Sequence, residues 1–321
     1  MISILKFATE QVKYIFNNNE KFIKWPESKM FLDFYEEVPE HTSAINFLLA
    51  NIATEGVETL DMWTVKKLTL DYLIFGGFTV EVLKTRGGGF ILNYLDISKV
   101  RYNPDKNKLG YADNWETYKV DIKWSNITDS VNKEGIFIFK NPVSRHLYPT
   151  PHYYSASIAL DTMKEISEYH NNNAKNGFTP TAVINFNNGE PDLDTKRQIE
   201  KDVREKFTGS KGQKFILSFN SSPDTKTTIE RLEDDNLDAK FELLQKFIQN
   251  QIIVAHQITS PQLIGIKAEN QGFSKTEYEE AFDIFEKTVV AGYVSEINYG
   301  LSKLFSKEVE ITKIKKEEVA Q

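Results

Sequence analysis

Apolar positions in the first third of the chain recur at helical spacing and then switch to alternation. In TSAINFLLANIAT (residues 42–54), Ile45, Leu48, Leu49 and Ile52 fall three to four apart, which predicts a buried helix face opened by a capping Thr42 or Ser43. LDMWTVKKLTLDYLIF (60–75) predicts a second helix offering Trp63, Val65, Leu68, Leu70 and Leu73 for burial. Gly76 and Gly77 then change the period to two. FTVEVLKTRGGGFILNYL reads as strand, tight turn, strand, and strand-like pieces follow at VRYNP, TYKVDIKW and GIFIFKN. The first half is therefore expected to be α+β with a meander-like sheet.

From Tyr153 to about Lys175 the pattern is helical again, with Ala159, Met163 and Ile166 on one stripe. It runs into HNNNAKNGFTPTAVINF (170–186), where asparagines that favour caps and turns predict a solvated helix end. TAVINF then alternates as a strand. LDTKRQIEKDVREKF is an amphipathic helix with Ile199, Val203 and Phe207 each four apart, and KFILSF and TTIERL read as strands. Residues 178–233 thus form a β-α-β-β module inserted between helices. A helix resumes at Leu237, with Phe241, Leu244, Ile248, Ile252 and Ala255 as its apolar stripe; Glu242, Gln245, Lys246, Gln249 and Asn250 form a polar one. About 20 residues at ~1.5 Å each make a rod of ~30 Å. ITSPQLIG (258–265) breaks it through Pro261 and Gly265, and the polar loop IKAENQGFSKTE leads to a helix from about 276 to 305. There Tyr278, Phe282, Phe285 and Val289 make the apolar stripe, and Glu277, Glu279, Glu280 and Asp283 favour the N-terminal end, as the helix dipole prefers. There is no internal repeat and no low-complexity linker.

Composition narrows the possibilities. The 321 residues, 40% hydrophobic and 26% charged, can build one large domain or two to three smaller ones. The absence of cysteine excludes disulfides, thiolate metal sites and cysteine nucleophiles. A net charge of −7 argues against gripping nucleic acid over much of the surface, though not against letting it pass. MISILKFATEQ predicts no secretory signal, and no apolar run is long enough to span a bilayer, so a soluble intracellular protein is expected.

Candidate chemistry is sparse. DKNKLGYADNWE (105–116) puts Asp105, Asn107, Gly110, Asp113 and Glu116 at calcium-loop positions, but Leu109 supplies no oxygen at the fifth and strands flank it, so a polar turn is expected. Gly87, Gly88 and Gly89 lie between strands, which favours a hairpin turn over a phosphate cradle. His41, His146, His152, His170 and His256 match no ligand-pair spacing, and no nucleophile elbow, zinc-protease or Walker motif occurs. No catalytic residue, metal or cofactor is expected.

The order of parts is itself distinctive: an α+β domain, a helix, a small α/β insert, a long helix, a proline-broken loop and a long helix. That order resembles the portal (head–tail connector) proteins of tailed bacteriophages. YHNNNAKNGFTPTAVINF looks like the family's stem helix closing on an Asn-Gly and a Pro before an aliphatic strand. FIQNQIIVAHQITSPQLIGI is similar to its returning stem helix, with Ile258, Pro261, Ile264 and Gly265 at the break positions. IFGGFTVEVLKTRGGGFILNYLDISKVR is similar to its Gly-then-hairpin segment, and the likeness covers roughly residues 40–305.

The resemblance implies a portal-like fold: a mixed α/β wing, with two stem helices flanking a small α/β clip. On that reading residues 1–152 are wing, 153–177 stem helix, 178–233 clip, 234–258 stem helix, 259–275 tunnel loop, and 276–321 wing or crown helix and C-terminal tail. It further implies a virion protein, a ring of usually twelve subunits at one capsid vertex, assembled in the host cytoplasm. Double-stranded DNA passes through it without sequence specificity, and no membrane is involved. Its partners would be the terminase large subunit, the major capsid protein and head-completion or adaptor proteins, with ATP hydrolysis left to the motor. Lys246, Lys267, Asn270, Gln271, Ser274 and Lys275 would lie at the channel and tunnel loop, with Pro261 and Gly265 at the loop break. The rival readings are another structural ring or adaptor of a virion or contractile injection system, and an enzyme with a diffuse carboxylate site in the first half.

Overall fold

A computed structural model of the chain describes residues 14–17, 20–57, 60–115, 122–142, 144–175, 182–186, 191–207, 215–219, 237–266 and 274–311. The chain divides into two compact units. One takes the positions up to Asp161 and from Ile248 onward; the other is Thr162–Phe247.

The first unit opens with a hairpin of β1 (Tyr14–Asn17) and β2 (Glu20–Ile23), followed by α1 (Glu27–Glu37) and α2 (Pro39–Ile52). The expected cap at Thr42 or Ser43 is not what starts α2. Pro39 sits at the first helical position, where its fixed φ is preorganised, and Val38 precedes it in extended conformation. Thr42 is inside the helix, its hydroxyl donating back to the Tyr35 and Val38 carbonyls. α3 (Met62–Phe75) is capped by Asp61, which accepts from the Trp63 and Thr64 amides. Trp63, expected in the core, is 66% exposed. It lies half a helical turn away from Tyr72, the centre of the buried face, so Lys66 covers its ring instead at 5.2 Å. Leu70 is half-buried.

Gly76 ends α3 at φ +80, and a Cβ there would come within 2.2 Å of the Thr150 carbonyl oxygen. The chain then enters β3 (Gly77–Lys84), turns through Thr85–Gly89 into β4 (Phe90–Leu95), and continues with β5 (Val100–Tyr102), β6 (Lys108–Tyr111), β7 (Lys123–Thr128) and β8 (Gly135–Lys140). The sheet is not a simple meander. Its order is β4-β3-β8-β7-β6-β5: β8 inserts between β3 and β7, antiparallel to the first and parallel to the second. The calcium-like segment forms the β5–β6 hairpin, where the Asn103 side chain accepts from the Asn107 and Lys108 amides; Glu116 lies outside the described residues. The glycine run forms the β3–β4 turn, with Gly88 at φ +83.

The last helical stretch covers the sheet. It comprises α7 (Lys275–Phe285), a π-helical turn (Glu286–Val290) and α8 (Ala291–Phe305). Gly300 lets α8 lie close to β8, since a Cβ there would fall 2.7 Å from the Phe139 ring. The core between helices and sheet is aromatic. Tyr72 stacks on Phe139, Trp25 stacks on Tyr148 at 4.7 Å, and the Arg101 guanidinium lies over both Trp25 and Trp115.

In the second unit, β9 (Ala182–Phe186) and β10 (Phe215–Phe219) pair in parallel across the crossover helix α5 (Leu193–Phe207). The expected third strand, TTIERL, lies outside the described residues. Two long helices cross the division between the units: α4 (Ser157–Lys175), entered through a 3-10 turn at His152–Ala156, and α6 (Leu237–Ala255). α4 continues through the asparagine run, with Asn171 and Asn172 exposed near its end.

Candidate functional site: the long helices and the broken loop

The two long helices bury part of their surface and leave part bare. On α6, Ile248 and Ile252 are buried and Phe241 is half-buried, in keeping with the expected stripe, while Leu244 is 41% exposed. A second apolar stripe was missed. Leu243, Phe247 and Val254 stand four and seven residues apart, a spacing that returns to one side of the helix, and they are 69%, 58% and 73% exposed. On α4, Ala159, Leu160, Met163 and Ile166 are buried, whereas Ile158 is 61% exposed and Tyr169 41%. Within the second unit Tyr169 stacks on Phe241 at 5.0 Å, pinning α4 to α6.

Pro261 and Gly265 do not stop α6. Ala255 is its last residue, and Gln257 turns the chain at φ 55, with the Ile258 amide donating to the Ile253 carbonyl. Pro261 instead opens a 3-10 turn (Pro261–Ile264), capped by Ser260 and anchored by buried Leu263. Gly265 closes that turn at φ +83; its amide donates to Gln262, and the Ile266 amide donates to the Pro261 carbonyl. Lys267, Asn270 and Gln271 lie outside the described residues. Ser274 caps α7, its hydroxyl accepting from the Glu277 amide. The two described lysines are matched by acids one turn along: Lys246 to Glu242 at 2.9 Å and Lys275 to Glu279 at 3.4 Å. Pro261, Gly265, Ser274 and Lys275 share the first unit, whereas Lys246 belongs to the second.

Two histidines meet where α6 gives way to the break. His41 of α2 and His256, one residue past α6, are fully buried with Nδ1 and Nε2 2.8 Å apart. Tyr153, from the turn that leads into α4, packs on both rings. His41 Nε2 has no partner. Burial pushes the His256 pKa down to about 3, and burial, then the neighbouring His256, holds His41 well below its usual range. The pair is therefore neutral, a buried polar joint tying α2 to the roots of both long helices. Nearby, Tyr72 donates to Glu296, whose carboxylate also holds His152 at 2.9 Å. No group of three or more His, Asp or Glu among the described residues is placed to hold a metal, and no described helix is long and apolar enough to cross a membrane.

Comparison with known proteins fits this architecture. No curated protein matches the chain. Among solved structures, a chain in the virion of a native gene transfer agent superposes with a TM-score of 0.54 at 14% identity, covering 96% of this chain and 87% of that one. A chain from the neck of the native gene transfer agent particle, computed with C12 symmetry, gives 0.54 at 13% identity over the same shares. An HK97 family phage portal protein from Corynebacterium diphtheriae gives 0.50 at 13% identity, covering 86% of this chain and 90% of that one. At such identities the likeness is one of fold. The family model described as phage portal protein matches residues 32–317, nearly the whole length, and the chain belongs to the phage portal protein family.

Proposed function

We propose that the chain is the subunit of a ring at one capsid vertex, through which double-stranded DNA is packaged and ejected. The observation that carries this reading is the second apolar stripe of α6. Leu243, Phe247 and Val254 are exposed in the single chain, Leu243 and Phe247 one turn apart, and large apolar side chains left bare on a helix suit burial against a partner. Repetition of one subunit around an axis supplies that partner, because a head-to-tail contact that closes generates a ring. On this reading α4 and α6 are stem, the 178–233 module is the clip that meets the terminase large subunit and later head-completion proteins, and residues 259–275 are the tunnel loop. The subunit itself is structural, without a catalytic role.

Electrostatics support a conduit. Each phosphate that a cation neutralises adds affinity through counterion release, so a channel that grips DNA would slow it. Lys246 and Lys275 carry their own carboxylates, which leaves each site close to neutral. Lys267, Asn270 and Gln271 complete the loop in this proposal. The test is assembly: the purified chain should form rings with an open axial channel by native mass spectrometry and negative-stain imaging. Leu243→Glu with Phe247→Glu should give folded chains that no longer close. Deleting residues 265–275 should leave the ring intact yet impair packaging or retention of DNA. Wild-type chains that stay monomeric at every concentration would end the ring reading, and normal packaging by the deletion would end the loop assignment.

A further inference from the structure

β4 terminates the six-stranded sheet, and only β3 pairs with it. Register fixes what its other side offers. The Asn141 amide donates to the Gly76 carbonyl, so the even-numbered residues of β3 bond to β8. The Thr85 amide donates to Gly89, so the odd-numbered ones bond to β4. Because antiparallel ladders alternate, Ile91, Asn93 and Leu95 turn their backbone groups toward β3, and Phe90, Leu92 and Tyr94 turn theirs out of the sheet. Those outward groups have no protein partner among the described residues.

Natural sheets guard such an edge with charge, proline, a bulge or a cover. FILNYL has neither charge nor proline, and Ile91 is 52% exposed. Cations stand at its two ends. Lys84 and Arg86 are exposed at the hairpin, while at the far end Lys67 stands 5.6 Å over the Tyr94 ring. None of these three cations is in an ion pair among the described residues, whereas Lys99, Lys133, Lys246, Lys275 and Lys287 each hold a carboxylate at 2.9–3.4 Å. The acids beside the strand are engaged: Asp71 with the Tyr94 hydroxyl and the Ile97 amide, Glu81 with Asn93, and Asp96 with the turn at Ser98. In a chain of net charge −7 this edge is a local exception.

We propose that the β4 edge receives an extended, acid-flanked segment of a partner protein, which adds to the sheet as a further strand. Strand addition draws its affinity from the ladder and its specificity from the side chains. Here the outward amides and carbonyls of Phe90, Leu92 and Tyr94 supply the ladder. A β-branched centre would lie along Ile91, and carboxylates at both ends, about 20 Å apart over six residues, would meet Lys84 and Arg86 at one end and Lys67 at the other.

The probe is a capped, fluorophore-labelled peptide, Asp-Glu-Val-Thr-Ile-Thr-Val-Glu-Asp, titrated into the full chain by anisotropy and followed by residue-resolved amide exchange. Binding should slow exchange at Phe90, Leu92 and Tyr94 at least tenfold and leave Ile91, Asn93 and Leu95, already in the ladder, unchanged. Lys84→Glu with Arg86→Glu should weaken binding at least tenfold, as should replacing the peptide's acids by lysine. Leu92→Pro should abolish it while sparing the β3 ladder, since the lost amide points outward. If that variant fails to fold, a peptide methylated on alternate amide nitrogens asks the same question from the other strand and must not bind. Three results would each overturn the proposal: no added protection at the three amides, equal binding of the lysine peptide, or full protection of those amides without peptide, which would assign the edge to another copy of the chain.

Discussion

Acidification should destabilise the first unit through the His41–His256 joint, and the size of the effect follows from burial. In the unfolded chain each imidazole takes a proton near its ordinary value of 6.5, while in the fold His256 resists protonation down to about 3 and His41 is likewise held well below 6.5. Below pH 6.5 the unfolded state therefore binds more protons, and stability falls as pH falls, by roughly 1.4 kcal/mol per unit for each group. From pH 7 to pH 5 that amounts to about 2 kcal/mol for His256, and His41 adds to the loss in the same direction. The His256 share stops growing once pH passes its folded value near 3. Among the described residues, the other titratable group packed on both rings is the Tyr153 phenol, which burial pushes upward and keeps neutral throughout this window.

Other groups contribute to the total slope. Burial, reinforced by Asp96, raises the Asp71 carboxyl well above 3.8, so that group favours the fold as pH falls over the same range. For Glu296, burial acts upward, but the bonds from His152 and Tyr72 outweigh it and lower the pKa, so its contribution is lost only below 4.5. The decisive quantity is thus a difference between proteins. Urea unfolding of the wild type and of His41→Phe/His256→Leu at pH 7, 6 and 5 should show the wild type losing at least about 2 kcal/mol more than the variant across that interval. In the wild type, two of the five histidine Cε1–H resonances should keep their neutral positions at pH 5. Parallel pH slopes in the two proteins, or five histidines titrating near 6.5, would refute the reasoning.

Gly76→Ala should be severely destabilising, by more than about 3 kcal/mol in urea unfolding, because the new methyl meets the Thr150 carbonyl and the position sits at φ +80; a loss below about 1 kcal/mol would contradict the close approach. Gln257→Gly should raise stability by about 1 kcal/mol, since Gln257 is exposed and left-handed at φ 55 and glycine removes that strain; an unchanged melting temperature would place the strain elsewhere.

Much of the element order was legible because local chemistry dictated it. Gly76 and Gly77 mark a real change of period, and the glycine run could only be a turn between the strands that flank it. The β8 insertion was not legible, since GIFIFKN reads the same wherever in the sheet it pairs and its place depends on contacts with β3 and β7 that no local pattern encodes. The cap of α2 was misread for a simpler reason. Thr42 is a good capping residue, but Pro39 three residues earlier is a stronger start signal, and the hydroxyl then found carbonyls to donate to. His41 and His256, 215 positions apart, could be paired only by the fold.

The long helix α6 shows the limit most clearly. Its sequence contains two apolar stripes of the same chemical character, one through Phe241, Ile248 and Ile252, the other through Leu243, Phe247 and Val254. Periodicity alone ranks them equally, because it reports which residues avoid water and not what they avoid it with. The chain's own packing covers the first stripe and leaves the second bare. A helix with apolar residues on more than one side is fully satisfied only when something else supplies the missing wall, and in a symmetric assembly the sequence that makes the stripe also makes the surface that covers it. The exposed stripe is thus the feature of α6 that the packing of the single chain leaves without a partner surface.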